Sequence, residues 1–206
     1  MPTDRTAVIG FPVDHSLSPI IHNHWIKELG LDTKPYEKIN VDPNKFEEQI
    51  NNLKAEGYGG LNVTVPLKEL AFSISDETSG ISKKLKSVNT LSLNSEKIDG
   101  DNTDAVGFIN SLDEKTIENN ITNKKTLVLG AGGSARSVVY ALNELGGHVR
   151  LFNRTLEKAE ILLDDLSINS SPVGAEEFDD YANSSSFIVN TTSLGQKEGE
   201  RNNILS

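Results

Sequence analysis

The sequence predicts an α/β protein built as two successive units, each a run of strands alternating with helices. Three observations lead there. Short apolar stretches such as TAVIGF (6–11) and KTLVLG (125–130) have strand length, and longer amphipathic stretches follow them. Gly and Pro mark the junctions between the two kinds of stretch. The alternation runs through the first half, lapses in a polar, Asn-rich segment, and then starts again.

In the first half, TAVIGF is broken by Gly10 and Pro12. SLSPIIHNHWIKELG reads as a helix capped by Ser18, with Pro19 as its first residue and Gly30 at its end. YEKINV (36–41) is the next strand, and the Asp42-Pro43 pair starts a helix that stops near Gly57. Residues 60–65 form a strand in which Val63 and Val65 alternate with Asn62 and Thr64, and a short helix follows over 66–73. SVNTLSLNSEKIDG (87–100) reads as two short strands joined at Asn94-Ser95. This order suits a mainly parallel sheet.

NTDAVGFINSLDE (102–114) is a helix and ENNITNKK (118–125) a polar connector without apolar periodicity. The domain boundary is placed here, with units 1–103 and 104–206. The second half continues with strand 125–130, helix 134–146, strand HVRLFNR (148–154), helix 155–166, a helical EEFDDYANS and strand 186–193. A polar tail follows.

Composition narrows the function classes. With 36% hydrophobic and 24% charged residues the chain is ordinary for a soluble globular protein. Its formal charge of −10 disfavours phosphate backbones and anionic membranes as partners, so neither nucleic acid nor membrane is expected. Absence of cysteine excludes disulfides, thiolate metal sites and a cysteine nucleophile. No metal site is expected, because His22 and His24 at i, i+2 do not share a helix face. No signal peptide and no bilayer-length apolar run is legible, so a cytoplasmic location is expected.

LVLGAGGSARSVVYAL carries the strongest local signal. Gly130, Gly132 and Ala135 fit G-x-G-x-x-[GA] directly after a strand and at the opening of a helix. Gly130 allows the tight turn, Gly132 a close backbone approach to a pyrophosphate, and Ala135 close helix–strand packing. The helix N-terminus adds free amides and a favourable dipole. This makes the second unit Rossmann-like. After its second strand, NAD-binding proteins usually place an Asp or Glu. This chain has Asn153, Arg154 and Thr155 instead, and a guanidinium suits a 2′-phosphate, which favours NADP.

In the first half, HSLSP sets the hydroxyls of Ser16 and Ser18 two residues apart before a helix, where they suit a small carboxylate. Capping alone also accounts for Ser18. NVTVPLK ends a polar-faced strand at Lys68, a residue type usually solvated. SVNT offers the amide of Asn89, and GDNTD places Asn102, Thr103 and Asp104 at a helix start.

HSLSP, NVTVPLK, VNT, DNTD, GAGGSAR, NRT and NTTSLG occur in the order seen in the shikimate dehydrogenase family, which the chain resembles from Ile9 to Gly195. The resemblance implies an N-terminal α/β substrate domain and a Rossmann-like NADP-binding domain with the active site in the cleft between them. It implies NADPH-dependent reduction of 3-dehydroshikimate to shikimate, in aromatic amino acid biosynthesis. Ser16 and Ser18 match the pair on the substrate carboxylate, Asn62 and Thr64 substrate-binding groups, and Lys68 the catalytic lysine. Asn89 and Asp104 match residues on the ring hydroxyls. Gly130, Ala131, Gly132, Gly133, Ser134 and Ala135 match the diphosphate loop. Asn153, Arg154 and Thr155 match the surroundings of the 2′-phosphate, while Thr191, Ser193 and Leu194 lie where the family lines the nicotinamide.

Hydride transfer develops charge on the carbinol oxygen, so Lys68 is expected to give or take that proton or to act as an electrostatic anchor, with Asp104 as a second catalytic group holding both ammonium and substrate hydroxyl. Family members usually continue further, supplying a tyrosine near the nicotinamide and a glutamine on the substrate. The nucleotide domain therefore reads as truncated, with strand 186–191 left as an open edge. Gln196 stands where the family usually has Met. Two alternatives accompany the enzyme reading: binding of a shikimate-like acid or nucleotide without turnover, and a relative acting on quinate or an aminated analogue. A monomer or homodimer is expected.

Overall fold

The computed structural model describes residues 5–94, 96–192 and 194. They form two compact units, Met1–Thr103 and Asp104–Ser206.

The first unit runs β1 (Arg5–Gly10), α1 (Ser18–Glu28), β2 (Glu37–Asn40), a 3-10 turn (Pro43–Lys45), α2 (Phe46–Ala55), β3 (Tyr58–Val63), α3 (Lys68–Ile74), β4 (Glu77–Thr78), α4 (Gly80–Leu85), β5 (Thr90–Leu93) and β6 (Ile98–Asp101). Its sheet has the order β2-β1-β3-β5-β6-β4. β1 pairs in parallel with β2 and β3, whereas β5 runs antiparallel to both β3 and β6. Ile9, Leu61 and Leu91 of this sheet pack with Ile50 and Leu53 of α2 and with Leu67 and Ala71. Each buried aliphatic side chain of this kind contributes roughly 1.5–3 kcal/mol.

The second unit runs α5 (Asp104–Asn110), α6 (Glu114–Thr116), a π turn (Ile117–Ile121), β7 (Lys125–Leu129), α7 (Gly133–Glu144), β8 (His148–Phe152), α8 (Leu156–Asp165), a 3-10 turn (Ala175–Glu177), α9 (Phe178–Ser184) and β9 (Phe187–Asn190). The strands form a parallel sheet of order β8-β7-β9. Both faces of β7 are covered. Val128 packs among Val139, Leu142 and Leu151, while Leu127 and Leu129 meet Phe152, Val173 and Phe178. That double burial explains why TLVL is apolar without alternation.

Several sequence expectations shift. Ser18 does not cap α1; the cap position is Leu17, in helical conformation and without a side-chain hydrogen bond. Strand 60–65 becomes 58–63, because Thr64 turns out of the sheet and its carbonyl accepts from Leu67 N–H at 2.9 Å. The helices expected over 66–73 and 102–114 are α3 and the shorter α5. The polar connector 118–125 is tied into the core, since Ile121 is fully buried beside Val128 and Leu142. One anchoring residue in eight is too sparse to register as periodicity. β4 and α4 went unread, being two and six residues long. β9 ends at Asn190 and lies at the sheet edge with Ile188 exposed. No described helix is long and apolar enough to cross a membrane.

Candidate active site

In the first unit the carboxyl ends of β1 and β3 lie side by side, so the segments leaving them share one end of the sheet. The chain leaving β1 passes close against the chain leaving β3. Phe11 N–H donates to Val65 O at 3.1 Å, and a Cβ added to Gly10 would sit 2.6 Å from Thr64 Cγ2 and 3.2 Å from Val65 O. Glycine is required there by close approach. Asn40, at the end of β2, fixes the next stretch by accepting from Val13 N–H at 2.9 Å. Ser16 and Ser18 follow, both half-buried, with Ser16 Oγ accepting from Ser18 N–H at 3.3 Å.

Asn62 sits on β3 and Thr64 one residue past its end. The turn from Thr64 to Leu67, through a cis Val65-Pro66 bond, delivers Lys68 at the first position of α3. Lys68 is only 8% exposed. The expectation of a solvated lysine from residue type alone therefore fails, and burial of an ammonium demands polar company. Its carbonyl accepts from Val88 N–H at 3.0 Å, which ties α3 to the segment entering β5.

Asn89 lies in that segment. Its carbonyl accepts from Val63 N–H at 2.7 Å and its N–H donates to Asp101 O at 2.9 Å, so its backbone is clamped between β3 and β6. The side chain is equally engaged: Thr103 N–H donates to Asn89 Oδ1 at 3.1 Å, and Asn89 Nδ2 donates to Thr103 Oγ1 at 2.9 Å. Asn102 is buried and donates to Ser87 O at 3.0 Å, a structural clamp. Ser16, Ser18, Asn62, Thr64, Lys68 and Asn89 thus come from four segments that end at one edge of this unit. Asp104 is the first residue of α5 and opens the second unit.

The second unit gathers the other group at the carboxyl ends of its parallel strands, where open α/β sheets bind ligands. Leu129 at the end of β7 is in register with Phe152 and Asn190 at the ends of β8 and β9. Gly130 has φ of 103°, and a Cβ there would lie 2.9 Å from Thr191 Oγ1 and 3.0 Å from Thr192 Cγ2. Thr191 itself is anchored, donating from both N and Oγ1 to Leu129 O. Gly132 caps α7 and differs in kind: a Cβ added to it would meet nothing within 4 Å. Packing within the chain therefore does not require glycine at that position. Gly133 and Ser134 open α7, Ala131 precedes them, and Ala135 is fully buried against the sheet.

No acidic residue occupies the first turn of α7, which leaves the helix dipole available to an anion. Beyond β8, Asn153 Nδ2 donates to Thr155 O at 2.8 Å, and Arg154 is exposed with no ion-pair partner among the described residues. These features fit a 2′-phosphorylated dinucleotide: open backbone for the diphosphate, an available guanidinium for the extra charge. Arg136 is committed elsewhere, to Asp165 of α8 at 2.8 Å. Leu194 N–H donates to Thr192 Oγ1 at 3.2 Å, folding the chain back after β9. Ser193 and Gln196 lie outside the described residues.

Residues 8–91 match the shikimate dehydrogenase substrate binding domain, and residues 111–199 match shikimate / quinate 5-dehydrogenase. A shikimate dehydrogenase (NADP(+)) from Methylocella silvestris is 39% identical over 94% of this chain and 69% of its own length. The chain belongs to the shikimate dehydrogenase family.

The solved shikimate dehydrogenase from Aquifex aeolicus superposes with a TM-score of 0.83 at 38% identity, over 98% of this chain and 73% of that one. Shikimate 5-dehydrogenase from Thermus thermophilus, in complex with NADP(H) and shikimate, gives 0.77 at 34% identity over 93% and 69%. The chain spans about two thirds of the length of the curated relatives it matches. Within the family, the motifs HSLSP, NVTVPLK and GAGGSAR fall inside the matched segments. Sequence reasoning missed Asn40, and it named Gly10 and Thr103 without the roles they have here, which depend on which strands become neighbours.

Proposed function

We propose that this chain carries out NADP-dependent interconversion of 3-dehydroshikimate and shikimate. The observation that carries the reading is the buried Lys68 gathered with Ser16, Ser18, Asn62, Thr64 and Asn89 at one end of the first sheet. NADPH, when bound, supplies the hydride. In the proposed scheme Ser16 and Ser18 hold the acid's carboxylate, and Asn62, Thr64 and Asn89 orient its oxygens. Lys68 gives a proton to the carbonyl oxygen as it becomes a hydroxyl, and takes it back in reverse. Asp104 is assigned to a ring hydroxyl and to keeping Lys68 charged.

On the cofactor side, the amides at Gly132, Gly133 and Ser134 hold the diphosphate, while Asn153, Arg154 and Thr155 hold the 2′-phosphate. Thr191 and Leu194 border the nicotinamide. Domain roles follow: residues 1–103 for substrate and 104–206 for NADP. The proposal includes a cytoplasmic enzyme, monomeric or homodimeric, which light scattering of the purified protein measures.

The test is NADPH formation from shikimate and NADP+, followed by absorbance. Turnover with NADP+ well above that with NAD+ is expected. Calorimetric binding of shikimate without turnover would replace this reading by a binding module. Quinate belongs in the same assay, because the matching family model covers quinate dehydrogenases as well.

A further inference from the structure

Tyr36 donates its phenol hydrogen to Asn62 Oδ1 at 2.7 Å. Asn62 Nδ2 donates to Thr90 Oγ1 at 3.4 Å, and Thr90 Oγ1 donates to Asn89 Oδ1 at 3.0 Å. The run ends on Thr103, whose backbone N–H donates to the same Asn89 oxygen. Four side chains and one backbone N–H, from β3, from both ends of the β5–β6 hairpin and from the loop before β2, are thereby joined in one line.

The direction of every bond in that line follows from its last member. A backbone N–H only donates, so the Asn89 atom facing Thr103 N must be Oδ1. That oxygen only accepts, so Thr90 spends its single hydrogen on it. Thr90 Oγ1 then has only lone pairs for Asn62, which must present Nδ2. Asn62 Oδ1 therefore faces Tyr36 and takes the phenol hydrogen. An amide side chain is nearly symmetric in shape and flips at little steric cost, so hydrogen bonding alone selects its orientation.

We propose that Tyr36 and Thr90 are positioning residues that set the polarity of the Asn62 side chain, so that Asn62 meets its ligand as a hydrogen-bond donor. This rests on the reading above that Asn62 touches the substrate. Its carbonyl oxygen is occupied by Tyr36 and one amide hydrogen by Thr90, leaving the second Nδ2 hydrogen for an oxygen of the substrate. Tyr36 is built to hold its place. Asn23 brackets its backbone, donating to Tyr36 O at 2.9 Å and accepting from Tyr36 N–H at 2.8 Å. His22 stacks on its ring at 4.1 Å with planes 7° apart. Burial raises its phenol well above the ordinary value, which keeps the hydrogen in place at working pH. Helix α1, which begins at Ser18, carries both His22 and Asn23, so the carboxylate end and the amide end share one support.

Tyr36→Phe and Thr90→Val test this, with Thr90→Ser as the conservative variant. Each of the first two is expected to raise the shikimate KM about tenfold, the size of one lost hydrogen bond, with kcat changed less and NADP+ affinity unchanged. Thr90→Ser is expected to restore the KM. Unchanged KM in both variants overturns the proposal, as does a loss of thermal stability alone, which would mark a merely structural pair. A nuclear magnetic resonance readout of the Asn62 side-chain amide separates this from failure of the enzyme reading. Should the wild-type chain show no turnover, displaced Asn62 amide protons in Thr90→Val sustain the relay, and undisplaced ones overturn it.

Discussion

Gly130 and Gly132 stand two residues apart in the same loop, yet the structure gives them opposite tolerance to a methyl group. At Gly130, alanine would adopt φ near 103°, a region costing about 1–3 kcal/mol for a residue with a Cβ. The new Cβ would also press on Thr191 Oγ1 at 2.9 Å, Thr192 Cγ2 at 3.0 Å and Thr192 N at 3.3 Å. Thr191 is held by two bonds to Leu129 O and does not yield freely, which adds an overpacking cost of about 1–3 kcal/mol. Gly130→Ala is therefore expected to destabilise the second unit by roughly 2–6 kcal/mol, and to lower its melting midpoint by at least about 8 °C.

Gly132→Ala meets nothing in the chain. Loss of a tolerated cap and gain in unfolded-state entropy offset one another, so stability should change by less than about 1 kcal/mol. NADPH binding should nevertheless weaken at least about tenfold, because the methyl group occupies the approach to the helix N-terminus. Thermal melts by circular dichroism and fluorescence titration with NADPH measure the two effects separately. Normal NADPH affinity in Gly132→Ala would refute the proposed diphosphate contact. An unchanged melt in Gly130→Ala would refute the close-approach reasoning.

Lys68→Ala should lower turnover by about a hundredfold or more while leaving NADP+ binding nearly intact, as read from initial rates and titration; near-normal turnover would remove Lys68 from the mechanism. Arg154→Ala should weaken NADP+ binding and leave NAD+ binding unaltered; equal effects on both cofactors would argue against a 2′-phosphate contact. Burial holds the His22 imidazole below its usual 6.5. A lowered folded value means stability is fully present above about pH 6.5 and is lost as pH falls through the folded value. The wild type should thus lose more melting temperature between about pH 7.5 and about pH 5.5 than His22→Phe, which keeps a ring on Tyr36. Equal losses would show that His22 does not couple to folding.

Much of the candidate site was legible because its signals are local. A turn at φ of 103°, as at Gly130, strongly favours glycine, so GAGGSA marks a strand–helix junction before any partner is known. Apolar residues alternating with polar ones likewise announce a half-buried strand, as in LNVTV. Boundaries were less legible. Thr64 and Val65 continue the alternation of Leu61 and Val63, and only a hydrogen bond from Leu67 back to Thr64 shows that the sheet has already ended. Ser18 resembles a cap in every respect except that the helix starts one residue earlier than a cap would allow.

By itself the sequence determined the α/β class, the order of the motifs and the glycine-rich strand–helix turn, because each depends on residues within a few positions of one another. Tertiary structure decided what those residues touch. Tyr36 and Asn62 are 26 positions apart and Asn62 and Thr90 are 28, and neither pair carries any mark in composition or periodicity. They meet because β3 lies between β1 and β5 in one register, placing Asn62 opposite Thr90. A hydrogen bond acts over about 3 Å, so its partners are chosen by strand pairing and not by distance along the chain.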